Sequence, residues 1–408
     1  MDAILMKSRL GMFIHWGIYS QLEYHEQVAA HKHMTHEEYE PLARTFNPTE
    51  YDPEKWVLLA KKAGMTYICF TAKHHDGYCM WNTRYTDYKV TNSPYGKDVL
   101  KMLADACKKH GMKLSIYYSN PDWNYEYGYN PKSTHQWLAK NKDNPDTEKL
   151  REYIKNQITE LLTNYGEIYT LFWDIPPRFE DRSINALARS LQPNIIINDR
   201  GFDEGDFSTP ERDYDKIPNG RFEKATEACN SVGVNSWGYR RGENFYSVSY
   251  LRKSIDRIMA MGGSFLLNVG PNAQGVITPE YAEKIVKVGE WYNRIKEGLE
   301  DTVPDDFDYG VYHNPYYATR KNGRSYLHFY DGIIADHVCM NAWRATPKSV
   351  RLLNTGRDLP FKVEHLPFLN GFNEHVRLDG PSLLNISEIP VDSLAGEPIV
   401  IEIEWETE

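Results

Sequence analysis

Ile168–Pro177 reads IYTLFWDIPP. This short apolar run, with Gly166 before it and Pro176-Pro177 at its end, has the pattern of a buried strand. It closes on a charge, Asp174, placed behind two large aromatics, Phe172 and Trp173. An α/β barrel keeps its chemistry at the carboxyl ends of buried parallel strands, and a carboxylate there is a candidate for it. Taken alone, the same aspartate could equally start a turn or cap the next helix. The neighbouring segments decide between these readings.

Upstream, Leu10–Trp16 is an apolar run leading to His15-Trp16-Gly17 and reads as the first strand. A long polar loop follows and carries Glu26. Asp52-Pro53 then opens a helix, with Asp as N-cap and Pro at the first helical position, and Gly64 stops it. The second strand, Met65–Ala72, runs into Lys73-His74-His75. Helix Asp98–His110 ends at Gly111, and Met112–Ser119 is the third strand. Helix Asp146–Tyr165 delivers the chain to IYTLFWD. Helix Arg182–Leu191 and a fifth strand, Asn194–Asn198, lead to Asp199-Arg200-Gly201.

Repeating strand–loop–helix units imply a parallel sheet with helical crossovers. Gly201–Trp237 reads mostly as loop and holds Glu211 and Glu227. Helix Ser247–Met261, strand Phe265–Val269 and the amphipathic helix Pro279–Lys296 then resume the pattern. Seven or eight strand candidates over about 300 residues fit a (β/α)8-like barrel of the TIM type better than an open sheet. No glycine-rich dinucleotide fingerprint follows any strand. Beyond the polar stretch at 297–308, helical patterns vanish. Short alternating runs at 324–330, 349–354, 361–365, 375–379 and 399–405 predict a C-terminal antiparallel β-sandwich. The expected division is a catalytic barrel over residues 1–300 and a sandwich over 301–408, the latter a structural cap in the absence of a clear aromatic platform.

Composition narrows the function. A chain of 408 residues with 41% hydrophobic and 25% charged residues is ordinary globular material, too long for a single core. A net charge of -10 argues against a nucleic-acid surface. No apolar run is long enough to span a bilayer. The start MDAILMKSRLGMF lacks the basic and apolar regions of a signal peptide, so a cytoplasmic location is expected. Five widely spaced cysteines without a CxxC pair suggest free thiols. The aromatic content of 13% is high: aromatics in that number can be core, and sugar-binding enzymes also use them as flat apolar platforms.

The strand ends then form a list: His15, His74 with His75, Tyr118, Asp174 and Arg200. In a barrel these ends converge on one face, so one pocket holds them all. Adjacent His74 and His75 on an extended strand point to opposite sides, poor geometry for a shared ion, and no metal is expected. Imidazole, phenol and guanidinium instead suit sugar hydroxyls.

Together, GMFIHWGIYS, FNPTEYDPEKWVLLAKKAGMTYICFTAKHHDGYCMWNT, the FWD strand, INDRG, NSWGY and GGSFLLNVGPNAQGVI closely resemble the α-L-fucosidases of glycoside hydrolase family twenty-nine, from Arg9 to about Gly298. The resemblance implies a retaining, exo-acting enzyme that needs no cofactor and acts on fucosylated oligosaccharides or glycoconjugates. On it, Asp174 falls on the nucleophile, and His15, His74, His75 and Tyr118 on residues that hold the sugar, with Tyr117 the alternative to Tyr118 by strand register. Arg200 falls beside the nucleophile. Glu26 takes the place of a Glu-Trp loop pair whose Trp is absent here. Glu211 is the first candidate for the general acid/base and Glu227 its rival. The family's strand usually reads Trp-x-Asp; here Phe172 stands two before Asp174 and becomes the candidate platform under the sugar. Other readings are a related glycosidase, such as one for α-L-galactosides, and a non-catalytic sugar-binding barrel.

Overall fold

The structure, a computed structural model, describes residues 8–212, 220–365, 368–369, 376–377 and 382–406. Seven parallel strands form one curled sheet: β1 (Leu10–Ile14), β2 (Tyr67–Lys73), β3 (Lys113–Ser119), β4 (Ile168–Asp174), β5 (Ile196–Ile197), β6 (Glu227–Ser231) and β7 (Ser264–Val269). Their spatial order is β5-β4-β3-β2-β1-β7-β6, so β1 sits between β2 and β7. The gap between β5 and β6 is filled by an extended stretch, 207–211. Phe207 pairs with Asn198, Ser208 with Thr226 and Glu211 with Cys229. These bridges close the barrel. The sequence pattern reads this stretch as loop, yet its backbone pairs: Pro210 cannot donate but still accepts, and Cys229 N donates to Pro210 O at 3.1 Å.

Between strands run helices Pro53–Lys62, Val99–His110, Thr147–Asn164, Arg182–Leu191, Val248–Ala260 and Pro279–Ile295. Five of the six are capped at their start, where the side chains of Asp52, Asp98, Asp146, Asp181 and Ser247 accept from first-turn amides, and the sixth opens on Pro279 without a side-chain cap. Such caps stabilise a helix by about 1 kcal/mol each. Alternation then sorts the strand residues. Ile14, Phe70, Ile116, Leu171 and Trp173 pack outward in the main core cluster, while Phe13, Tyr67, Cys69, Tyr117, Phe172, Cys229 and Leu266 fill the barrel interior. At the amino-terminal floor a Cβ on Gly11 would meet the Tyr67 ring at 2.5 Å, so only glycine lets that ring cross the barrel.

The C-terminal part is built from antiparallel sheets. One has six strands, ordered Arg357–Asp358, Pro347–Leu352, Ile399–Trp405, Arg324–Phe329, Tyr317–Lys321 and Val303–Pro304. A second has three: Val338–Met340, Ser382–Ile386 and Phe361–His365. Their facing side chains, among them Leu327, Leu352, Leu384 and Ile401, form a separate core. Of the run expected at 375–379, only Val376–Arg377 lies within the described residues.

Candidate active site

Asp174 ends β4 and is immediately followed by Ile175 at φ 59°, in the left-handed region that a β-branched residue rarely adopts. The sharp turn is pinned from β3. Asn120 N donates to Asp174 O at 3.0 Å, and Asn120 Nδ2 donates to Ile175 O at 3.0 Å and to Arg200 O at 3.3 Å. The carboxylate itself takes the Tyr117 hydroxyl at 2.7 Å on one oxygen and Arg200 at 2.9 Å on the other. Burial alone would raise this carboxyl. Arg200, His75 and the Tyr117 hydrogen bond outweigh burial and hold it at about 2, so Asp174 is ionised at neutral pH.

Arg200 also links a second acid to the first. Its other terminal nitrogen donates to Thr209 O at 2.6 Å and to Glu211 Oε2 at 3.1 Å. One guanidinium therefore spans Asp174 and Glu211. The Glu211 side chain, 39% exposed, stands at the rim of the pocket. Its backbone is held by the pairing of the 207–211 stretch with β6, which gives this loop-like segment the rigidity of a strand.

The histidines present defined acceptors. His15 Nδ1 lies 2.7 Å from Asn268 Oδ1, and Asn268 Nδ2 donates to Ser231 and to Trp237 O. The amide is thereby oriented, and His15 must donate from Nδ1. His75 Nδ1 lies 2.7 Å from Ser119 Oγ, whose own proton goes to Pro121 O. Each ring is left with Nε2 as an acceptor. Burial pushes both down to about 4 against the pull of neighbouring carboxylates, which keeps them neutral at neutral pH. His74, also lowered by burial, stacks on Tyr117 with ring centroids 5.6 Å apart. Both His74 and His75 line the pocket. Their expected divergence fails because β2 ends at Lys73 and the two rings, 4.1 Å apart, sit beyond the pleat.

The cavity they enclose, about 190 Å³, is lined by Phe13, His15, Glu26, Gln27, His74, His75, Tyr117, His135, Phe172, Asp174, Ile175, Arg200, Glu211, Cys229 and Trp237. Glu26 Oε2 accepts from Ser236 Oγ, Trp237 N and Gly238 N at 2.9–3.1 Å, tying the β1 loop to the loop that carries Trp237. Trp237 lies against His15, ring centroids 5.2 Å apart, as an apolar wall. Phe172 stacks beneath Tyr117 at 5.9 Å. Trp173 is turned out instead. It donates from Nε1 to Asn185 at 2.9 Å, and a Cβ on Gly201 would meet its ring at 2.3 Å. Trp173 therefore lies outside the pocket, and Phe172 is the aromatic of this strand that lines it.

Two expectations are corrected. Tyr118 faces away from the cavity, into the helix layer. Its hydroxyl donates to Gln157 Oε1 at 2.7 Å and accepts from Lys73 Nζ at 3.1 Å; Tyr117, the register alternative, occupies the pocket. Strand alternation with Asp174 decides this, since Tyr117 pairs with Phe172 and Tyr118 with Trp173. Glu227 is in β6 rather than a loop, at the floor of the barrel, fully buried, and it accepts from Tyr67 at 2.6 Å. It lines no part of the pocket. Sequence reading overlooked Gln27, His135, Trp237 and Asn268. The last two lie within motifs that were already legible, whereas His135 sits in an irregular loop without periodic signal.

A larger groove, about 880 Å³, opens at the opposite end of the barrel between helices Val99–His110 and Thr147–Asn164. There Lys101 pairs with Asp105 and Glu167 is exposed, so no convergent buried acids face it.

Comparisons with known proteins show the family and the fold. A family model described as α-L-fucosidase matches residues 2–297. Among characterised relatives, the tissue α-L-fucosidase of Rattus norvegicus is 26% identical over 332 residues, covering 73% of this chain and 69% of that protein. Among solved structures, α-L-fucosidase isoenzyme 1 of Paenibacillus thiaminolyticus superposes with a TM-score of 0.84 at 29% identity, covering 98% of each chain. An α-L-fucosidase of Bacteroides thetaiotaomicron, trapped as a covalent intermediate with 2-fluoro-fucosyl fluoride, superposes with a TM-score of 0.77 at 26% identity and covers 99% of this chain and 96% of that one.

Proposed function

The chain belongs to the α-L-fucosidase family and is a glycoside hydrolase, and from that premise we propose that it removes terminal α-L-fucosyl residues from glycans with retention, through a fucosyl-Asp174 intermediate. The observation that carries the residue assignment is the bridge Asp174–Arg200–Glu211 at 2.9 and 3.1 Å, which brings two carboxyls to one small pocket. Retaining hydrolysis needs two carboxyls about 5–5.5 Å apart, and one guanidinium contacting both keeps these two near each other. Asp174, ionised and aligned by Tyr117 and Arg200, attacks the anomeric carbon. Glu211 protonates the departing oxygen at the rim, then takes a proton from the water that releases fucose from Asp174. The bare Nε2 atoms of His15 and His75 accept from sugar hydroxyls. Phe172 and Trp237 supply apolar walls to the ring and its methyl group.

The test is turnover of an aryl α-L-fucoside by wild type, Asp174→Ala, Glu211→Ala and Glu227→Ala, with and without azide. Asp174→Ala should lose nearly all activity and yield the inverted β-fucosyl azide on rescue. Glu211→Ala should yield the α-azide and retain more activity with an activated leaving group. Full activity in Asp174→Ala would falsify the mechanism, and leaving-group dependence confined to Glu227→Ala would reverse the choice of acid.

A further inference from the structure

The pocket of about 190 Å³ is small, and an aglycone must extend beyond it. One exit is marked by rings. His75, inside the pocket, lies 5.5 Å from His135, and His135 meets Trp137 edge-on at 4.8 Å. Trp137 is 52% exposed, and it is the sole tryptophan among the large hydrophobic side chains exposed in the described residues. An indole left half in water at the mouth of a sugar pocket is an unused apolar surface.

Trp137 is also held in place. Trp123 packs against it at 6.3 Å and donates from Nε1 to His135 O at 2.7 Å, while Lys142 Nζ donates to Trp137 O at 2.6 Å. The loop is fastened to the end of β4 as well, where Asn130 Nδ2 donates to Pro177 O at 2.8 Å. A fixed ring suits recognition because little side-chain freedom is lost on binding. The side of the pocket is defined too. The His135 imidazole lines the cavity together with Asp174 and Glu211, the two carboxyls that flank the scissile bond in the reading above. Past it a groove of about 680 Å³ opens between Trp137 and the segment carrying His31, His33 and Met34. Tyr24, on the far wall, has Lys32 and Arg240 over its ring at 4.2 and 4.7 Å, so the indole is the open face.

We propose that Trp137, set by His135 and Trp123, is the platform of a leaving-group subsite whose occupant is the first pyranose of the aglycone, packed through its apolar face on the indole. This rests on the α-fucosidase reading above and adds the residue that receives the aglycone sugar.

The experiment compares kcat/KM for α-L-fucosyl fluoride, which has no aglycone, with kcat/KM for a panel of fucosyl disaccharides covering the common linkages, in wild type, Trp137→Ala and Trp137→Phe. Trp137→Ala should lower the disaccharide-to-fluoride ratio about tenfold for the preferred linkage, equivalent to about 1.4 kcal/mol, and Trp137→Phe should restore part of it. Fluoride turnover in the same samples reports folded enzyme. A ratio that stays within about twofold of wild type, a value well inside the tenfold step, overturns the proposal, as does equal loss on both substrates. Wild type that turns over the fluoride but no disaccharide also overturns it. Wild type inert toward every fucosyl substrate instead sinks the fucosidase reading itself.

Discussion

Glu227 shows how strongly the position of a carboxyl determines its use. Its side chain is fully buried at the barrel floor, with one partner, Tyr67 at 2.6 Å. Burial raises it from 4.5 to about 7, only partly offset by the Tyr67 hydrogen bond. Because the folded-state value lies above the unfolded one, the associated stability is fully present below about 4.5 and is lost as pH rises through about 7. Glu227→Gln removes that loss. Its melting temperature relative to wild type should therefore climb between pH 4.5 and 7 and then level off, while turnover of the aryl fucoside is kept. A flat difference across that range would show that Glu227 is ionised throughout. Asp174 behaves in the opposite sense: against burial, the Arg200 charge and the Tyr117 hydrogen bond keep it ionised, and the pocket, not the floor, holds the charge.

Elements, rather than single residues, hold the pocket's rim. The 207–211 stretch has the length of a loop but the pairing of a strand, and so delivers Glu211 in a fixed position. The loop after β3 is anchored by Asp122, which pairs with Lys73 at 2.8 Å; both side chains are almost fully buried, at 1% and 0% exposure. Asp122 Oδ1 also accepts from Asn124 N and Tyr125 N. This anchor explains why Tyr118 is polar yet faces away from the site: its hydroxyl completes the shell around Lys73. Breaking a buried pair strands the remaining charge at a cost of about 3–5 kcal/mol. Asp122→Asn keeps the turn acceptor and removes the charge, so denaturant unfolding should show a loss approaching that size. The double variant Lys73→Met/Asp122→Asn should recover much of it. Recovery of nothing would mean that the turn, and not the ion pair, carries the stability.

At the scale of the whole molecule, barrel and sandwich are joined by a buried contact. His328 Nδ1 meets Asp256 Oδ1 at 2.9 Å, and His328 Nε2 lies 3.1 Å from Thr319 Oγ1 and 3.2 Å from Gly298 O. Asp256 belongs to the helix before β7, and His328 to the central part of the six-stranded sheet. His328→Ala leaves Asp256 buried and unpaired, and a loss of about 3 kcal/mol or more is expected in denaturant titration. KM should not move, because none of these residues lines the pocket; a changed KM would reveal coupling between the sandwich and the site. Local patterning was enough to read much of this molecule. The cap at Asp52, the glycine stops at Gly64 and Gly111 and the apolar runs located helices and strands, because those signals act within a few residues. Asp174 and Arg200 were likewise legible as pocket residues, since each stands at or just past a readable strand end, whereas Glu211 came only from the family resemblance. What the sequence left open was settled by packing over long separations. Alternation in β3 relative to β4 chose Tyr117 over Tyr118. Closure of the barrel turned an apparent loop into a stave and sent Glu227 to the floor. Folding of irregular loops brought His135 and Trp237 to the pocket. Loops carry no period to read, and the face a strand side chain takes is decided by which neighbours it pairs with.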